Sequence, residues 1–188
     1  MAFEGRLRLS ASAEDLRDRF PTLDTWLRLN PEWSLLALKS TGDPNCFDVR
    51  LRLDEDDREE DYQARFASAA DNQPPWRLEI VRSGAVRTID VELTAFDRIC
   101  ELVLRDASIA DDDGPARTNL ALWLRATADY ILLSASSRWR ARASKWLLDR
   151  IWLRMNQTGR RVVILILAYE VVGLAFLVAW LLWERMAA

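Results

Sequence analysis

The side chains able to do chemistry in this chain are few and mostly of one kind. None of its 188 residues is a His, which excludes Ser-His-Asp and Cys-His catalysis, His metal sites and His haem ligation. Cys46 and Cys100 are the only cysteines. They are too few for a thiolate metal site and too far apart for a CxxC pair, so zinc, iron–sulfur and dithiol redox chemistry are also excluded. Carboxylates remain. Asp90 and Glu92 share one strand face at two-residue spacing, but a working acid–base pair needs a burial that the surrounding alternation does not suggest. The run Asp54-Glu55-Asp56-Asp57-Arg58-Glu59-Glu60-Asp61 lacks the Gly and the regular oxygen spacing of an EF-hand loop, so it reads as a solvated hairpin loop and not a calcium site. No cofactor, no metal and no catalytic residue is expected. Binding and structure are left.

Nine Trp residues carry the binding argument. Trp26, Trp33, Trp76 and Trp123, with Phe47, Phe66 and Tyr130, are candidate walls of an apolar cavity. Aromatic rings bury large areas with few soft torsions, which suits a lipid or quinone-like ligand. The same residues would also serve as plain core. A second group lies further along: Arg138, Arg142, Lys145 and Asp149 recur at steps of four, three and four and form one polar stripe. Trp139, Trp146, Leu147, Trp152 and Met155 surround it. Basic side chains beside Trp suit a membrane surface, and the same helix face would also suit a partner protein.

These residues need elements to hold them. Phe3, Leu7 and Leu9 alternate with Glu4, Arg6 and Arg8; Phe47, Val49, Leu51 and Leu53 alternate with Asp48, Arg50 and Arg52; Trp76, Leu78 and Ile80 alternate with Arg77 and Glu79. With weaker patterns over 34–40, 62–68, 86–96 and 98–106, about seven half-buried antiparallel strands are predicted, their outward Arg and Glu being cross-strand neighbours. Ser12 with Asp15 predicts a helix N-cap, and Pro21 divides the helical stretch that follows into two short helices. Asp111 to Pro115 reads as a turn, after which a helical pattern runs from about Thr118 to Met155.

Charge is segregated along the chain. Residues 1–137 carry 17 Lys and Arg against 26 Asp and Glu, a balance of -9, whereas residues 138–161 carry eight basic side chains and one acidic one, a balance of +7. Val162 to Trp183 is a 22-residue run interrupted by Tyr169 and Glu170; as a helix it would extend about 33 Å, enough to cross a bilayer. No leader pattern opens the chain, and Arg150, Arg154, Arg160 and Arg161 precede the run while Arg185 follows it. A single-pass membrane protein with its N-terminal domain in the cytoplasm is expected, with both cysteines reduced. Within the run Glu170 needs a partner, and Gly173 one turn along on the same face suits close helix association, as an intramembrane contact with another transmembrane subunit or a second copy.

The order strand, two short helices, six strands, long helix, together with the segment Trp26-Leu27-Arg28-Leu29-Asn30-Pro31-Glu32-Trp33 and a last helix beginning near Asn119, resembles the START-like (SRPBCC, helix-grip) superfamily, including its polyketide cyclase and lipid-transport branch. The resemblance covers about residues 1–137. It implies an α+β fold in which a curved antiparallel sheet wraps a long C-terminal helix around an apolar cavity that holds a hydrophobic small molecule. The organisation expected is a START-like domain over 1–137, a basic amphipathic juxtamembrane helix over 138–159, a transmembrane anchor over 160–185 and a tail over 186–188. Two functional readings follow: non-catalytic binding of a hydrophobic ligand at the cytoplasmic leaflet of the lipid bilayer, or an accessory or assembly subunit of an integral membrane complex. The acidic domain argues against nucleic acid.

Overall fold

The computed structural model describes the chain apart from residues 1–2, 54–55, 71–72, 97–98, 111–112, 156 and 188, and apart from the side chains at 13, 68–70, 73, 157–158, 161, 175, 177–179, 181–182 and 184–187. Asp54 and Glu55 of the acidic run, Asp111 and Asp112 of the expected turn, and Ala188 of the tail lie outside the described residues.

In chain order the elements are β1 (Phe3–Leu9), α1 (Ala13–Asp18), α2 (Leu23–Arg28), β2 (Trp33–Ser40), β3 (Cys46–Leu53), β4 (Glu59–Ala70), β5 (Gln73–Arg82), β6 (Ala85–Phe96), β7 (Ile99–Asp106), α3 (Gly114–Ala135), α4 (Trp139–Arg150), a 3₁₀ turn (Trp152–Arg154) and α5 (Gln157–Ala187). The seven strands form one antiparallel sheet in the order β1-β7-β6-β5-β4-β3-β2, so the first strand pairs with the last. α3 packs on β1 and β7, and α1 and α4 pack on α3.

Local chemistry explains most of the boundaries. Ser12 Oγ accepts the Asp15 N–H at 3.0 Å and caps α1. Ser83 and Gly84 both hold positive φ, at 48° and 88°, and make the tight turn between β5 and β6. α3 starts at Gly114, not at Thr118: Asp113 Oδ1 accepts the Ala116 N–H at 3.0 Å, and Pro115 in the first turn gives up no intrahelical bond. The expected helical run to Met155 is divided. α3 stops at Ala135 because Ser136 turns extended, with ψ of 124°, in a serine-rich stretch whose hydroxyls compete with the helical backbone; α4 restarts after Arg138.

The acidic run is also divided, because β4 takes in Glu59, Glu60 and Asp61. Arg52 pairs with Glu59 at 2.6 Å and Arg50 with Asp61 at 2.8 Å across β3 and β4. Elsewhere Arg77 pairs with Asp90 at 2.7 Å and Arg105 with Glu92 at 2.6 Å, so these two acids belong to separate cross-strand ion pairs and not to a carboxylate dyad.

The chain divides into two compact units, residues 1–153 and 154–188, and α4 falls in the first. α5 forms the second, with Val162, Leu165, Val171, Phe176, Trp180 and Trp183 all exposed along it. Among the described residues no helix is long and apolar enough to cross a membrane. The expected anchor over 160–185 is therefore not supported by the described residues.

Candidate functional site

Sheet alternation sends the large apolar residues of β2 to β7 to one face, and α2 and α3 close over them. Trp26, Trp76 and Trp123 end up fully buried. Their rings connect: Phe20 stacks on Trp76 at 4.1 Å, Trp26 stacks on Trp123 at 4.7 Å, and Trp33 meets Trp123 edge-on at 5.7 Å. Phe66 lies 6.0 Å from Trp26. Two indoles are pinned by hydrogen bonds, Trp123 Nε1 to the Trp26 carbonyl at 3.0 Å and Trp33 Nε1 to the Leu27 carbonyl at 3.0 Å. The space between sheet and helix, which the resemblance would leave as a cavity walled by these rings, is filled by them at this level.

A cavity of about 770 Å³ does exist, beside this aromatic cluster and open to solvent. Trp33, Leu51, Leu53, Ile80 and Val86 supply its apolar wall, and Pro115, Ala116 and Asn119 at the start of α3 close another side. Of the seven aromatic candidates Trp33 alone is in its lining; Trp26, Trp76 and Trp123 are core, Phe47 and Phe66 pack against that core, and Tyr130 lies on α3. Sequence reasoning missed Tyr62 and Arg87. A signal existed for Leu51, Leu53 and Ile80, whose inward alternation was legible, but alternation alone does not tell a cavity wall from a core.

The charged groups at the cavity are already committed. Arg87 Nε donates to Asp106 Oδ2 at 2.7 Å and its Nη1 to Glu32 Oε2 at 2.5 Å, with the guanidinium 5.6 Å from the Trp33 ring centre. Burial of Arg87 works to lower its pKa, yet Glu32 and Asp106 hold it above the usual arginine value, so it stays charged. Asp106 is fully buried and also accepts from the Ser108 N–H at 2.9 Å and the Ser108 hydroxyl at 2.6 Å. Arg82 pairs with Glu60 at 2.6 Å, and the Tyr62 hydroxyl donates to the same carboxylate. Burial, then the hydrogen bond and charge of Glu60, push the Tyr62 phenol up to about 12. The site therefore presents apolar surface with a neutral phenol and ion pairs formed among its own charged groups, an arrangement suited to holding an apolar molecule. Among the described residues no cluster of ligating side chains suited to a metal ion occurs.

The expected polar stripe on α4 is split. Lys145 Nζ donates to the Tyr130 hydroxyl at 2.8 Å and pairs with Asp149 at 2.7 Å, which turns Lys145 towards α3. Arg138, Arg142, Trp139 and Trp146 remain exposed, while Trp152 is half-buried in the 3₁₀ turn. Glu170 and Gly173 lie on α5, and a Cβ added at Gly173 would meet nothing within 4 Å.

No protein-family model and no curated protein matches the sequence. Solved structures do. The chain is similar to TTHA0849 from Thermus thermophilus, with a TM-score of 0.52 and 11% identity over 72% of this chain and 100% of that one. It is also similar to the Zhui aromatase/cyclase from a Streptomyces species, with a TM-score of 0.51 and 14% identity over 73% of this chain and 96% of that one. At such identities the likeness speaks for fold alone: the seven-stranded antiparallel sheet and its long helix are those of a helix-grip α+β fold.

Proposed function

We propose that this protein binds an apolar small molecule, lipid or quinone-like, in the cavity beside Trp33 and does not transform it. The observation that carries this reading is the cavity of about 770 Å³ walled by Trp33, Leu51, Leu53, Ile80 and Val86, a volume in the usual range for a small-molecule site. One structure of similar fold is an aromatase/cyclase. Support for a non-catalytic role here comes from the pairing of Arg82, Arg87 and Glu32 with protein partners and from the absence of His from the sequence. The test is to purify the full chain in mild detergent and identify what is extracted with it by mass spectrometry. A single apolar species should accompany the wild type and be lost when Leu53→Trp and Val86→Trp fill the cavity of a still-folded protein. An empty wild type, or a filled variant that keeps the molecule, would refute the reading.

The same proposal holds the chain to a membrane through α5, with the helix-grip domain on the cytoplasmic side. Its support is the 22-residue run Val162 to Trp183, the Arg residues that precede it, and the exposed apolar side chains along α5. Resistance to alkaline extraction, and labelling of an engineered cysteine at Ser83 only after permeabilisation, are the expected results. A second reading, an accessory subunit of a membrane complex, is favoured by Glu170 and Gly173 sharing one face of α5. It predicts a native mass above that of the monomer in mild detergent, reduced by Glu170→Leu; a lone monomer unaltered by the substitution would exclude it.

A further inference from the structure

We infer that the outer face of α4 is a docking surface for anionic phospholipid, independent of the cavity and of what it holds. At 3.6 residues per turn, Arg142, Trp146, Trp139 and Arg150 fall within an arc of about 80° on one side of α4. The half-buried residues Ala141, Lys145, Leu148 and Asp149 fall in the adjoining arc of about 100°, with Asp149 next to Arg142. α4 has no buried residue, and Trp139 and Trp146 are 74% and 62% exposed. The Lys145 bond to Tyr130 ties the inner side of α4 to α3, with Asp149 one turn along α4 holding the ammonium in place, and the outer face is left in solvent.

The occupant follows from charge. Among the described residues Arg138, Arg140, Arg142 and Arg150 make no ion pair, although nearly every arginine on the sheet does. Residues 1–137 have a balance of -9, so an anionic surface repels that part of the chain as a whole, whereas α4 is basic. Unpaired guanidinium groups flanking two exposed indoles match the headgroup layer: Arg reaches phosphate, and Trp lies at the boundary with the acyl chains. A protein partner with two buried indole pockets would fit the Trp pair, but gives no reason for four unpaired arginines around it.

Each arginine near an anionic surface is worth about a five-fold gain in partitioning, and reversing three of them should remove the effect entirely. The experiment uses the full chain carrying Cys46→Ser and Ala143→Cys, with Cys100 left in place because it is buried. Ala143 lies among the outer-face residues and is labelled with an environment-sensitive fluorophore. In phosphatidylcholine vesicles the label should read water and be open to iodide. Adding phosphatidylglycerol should shift its emission to the blue and shield it from iodide, and both changes should vanish at high salt and in the variant with Arg138→Glu, Arg142→Glu and Arg150→Glu. Emission that is the same with and without phosphatidylglycerol, or that survives the triple reversal, overturns the proposal. So does a label already shielded before vesicles are added, which would mean that protein covers α4. Alkaline extraction of the same samples reports on α5 separately, so the failure of one assignment is not mistaken for that of the other.

Discussion

Replacing Arg87 with Met should be among the most destabilising exchanges of a charged residue in this chain, and a second substitution should partly repair it. Arg87 holds Asp106 at 2.7 Å and Glu32 at 2.5 Å, and the side chains of Arg87, Glu32 and Asp106 are 25%, 17% and 0% exposed. Were this an ordinary surface pair, its loss would cost under about 1 kcal/mol. With Asp106 fully enclosed, removal of Arg87 strands a carboxylate that cannot reach water, and breaking such a pair costs about 3–5 kcal/mol. The two Ser108 hydrogen bonds remain, which places the expected loss near the lower end, at about 3 kcal/mol, including a small cation–π contribution from Trp33. Asn at position 106 still accepts from Ser108 but carries no charge. Adding Asp106→Asn to Arg87→Met should therefore make the double variant about 2 kcal/mol more stable than the sum of the single effects requires. Urea unfolding of the full chain in mild detergent, followed by tryptophan fluorescence with a common m-value, measures all four corners of the cycle. Additivity within about 0.5 kcal/mol would refute the claim that a buried charge is at stake.

Four other outcomes follow from the same structure. Because the Tyr62 phenol is raised to about 12 in the fold while an unfolded tyrosine ionises near 10, its contribution to stability is complete below about pH 10 and is lost as pH rises towards 12. Tyr62→Phe should remove that part of the alkaline stability loss, and tyrosinate absorbance should show one phenol titrating late. Trp123→Phe should cost at least about 1 kcal/mol more than Trp76→Phe in thermal or urea unfolding: the first exchange loses a bond to the Trp26 carbonyl, and the second removes a buried indole N–H that has no acceptor among the described residues. Gly5→Val should cost about 1–3 kcal/mol, since even a Cβ at that position comes within 3.2 Å of Leu124 Cδ2 on α3. Gly84→Val should weaken the β5–β6 turn by about 1 kcal/mol or more, because φ there is 88°.

The strand pattern was legible where a strand has one wet face, and faintest in β7, which is buried on both. Arg50, Arg52, Arg77 and Glu79 alternate with apolar residues, and that two-residue period needs no knowledge of neighbouring strands. The helical run was less legible. Thr118 to Met155 keeps a helical period throughout, yet Ser136 and Ser137 end α3, a local competition that periodicity does not register. The polar stripe of α4 joins residues whose surroundings differ in three dimensions. Lys145 and Arg142 sit at neighbouring positions on the wheel, and the proximity of Tyr130 is what separates their roles. The acidic run reads as one loop until the register of β3 against β4 sets Glu59 opposite Arg52 and Asp61 opposite Arg50.

By itself the sequence determined the α+β order of elements, the absence of His, and the separation of an acidic first part from a basic stretch and an apolar run. Composition, period and charge order are one-dimensional properties that survive without coordinates. Tertiary structure decided which aromatic residues are walls and which are filling. Trp26, Trp33, Trp76 and Trp123 look alike along the chain, and all four face inward. Whether space remains beside an inward ring depends on what the opposing strands and α3 bring against it, and here they close over three of the four and leave a cavity at Trp33.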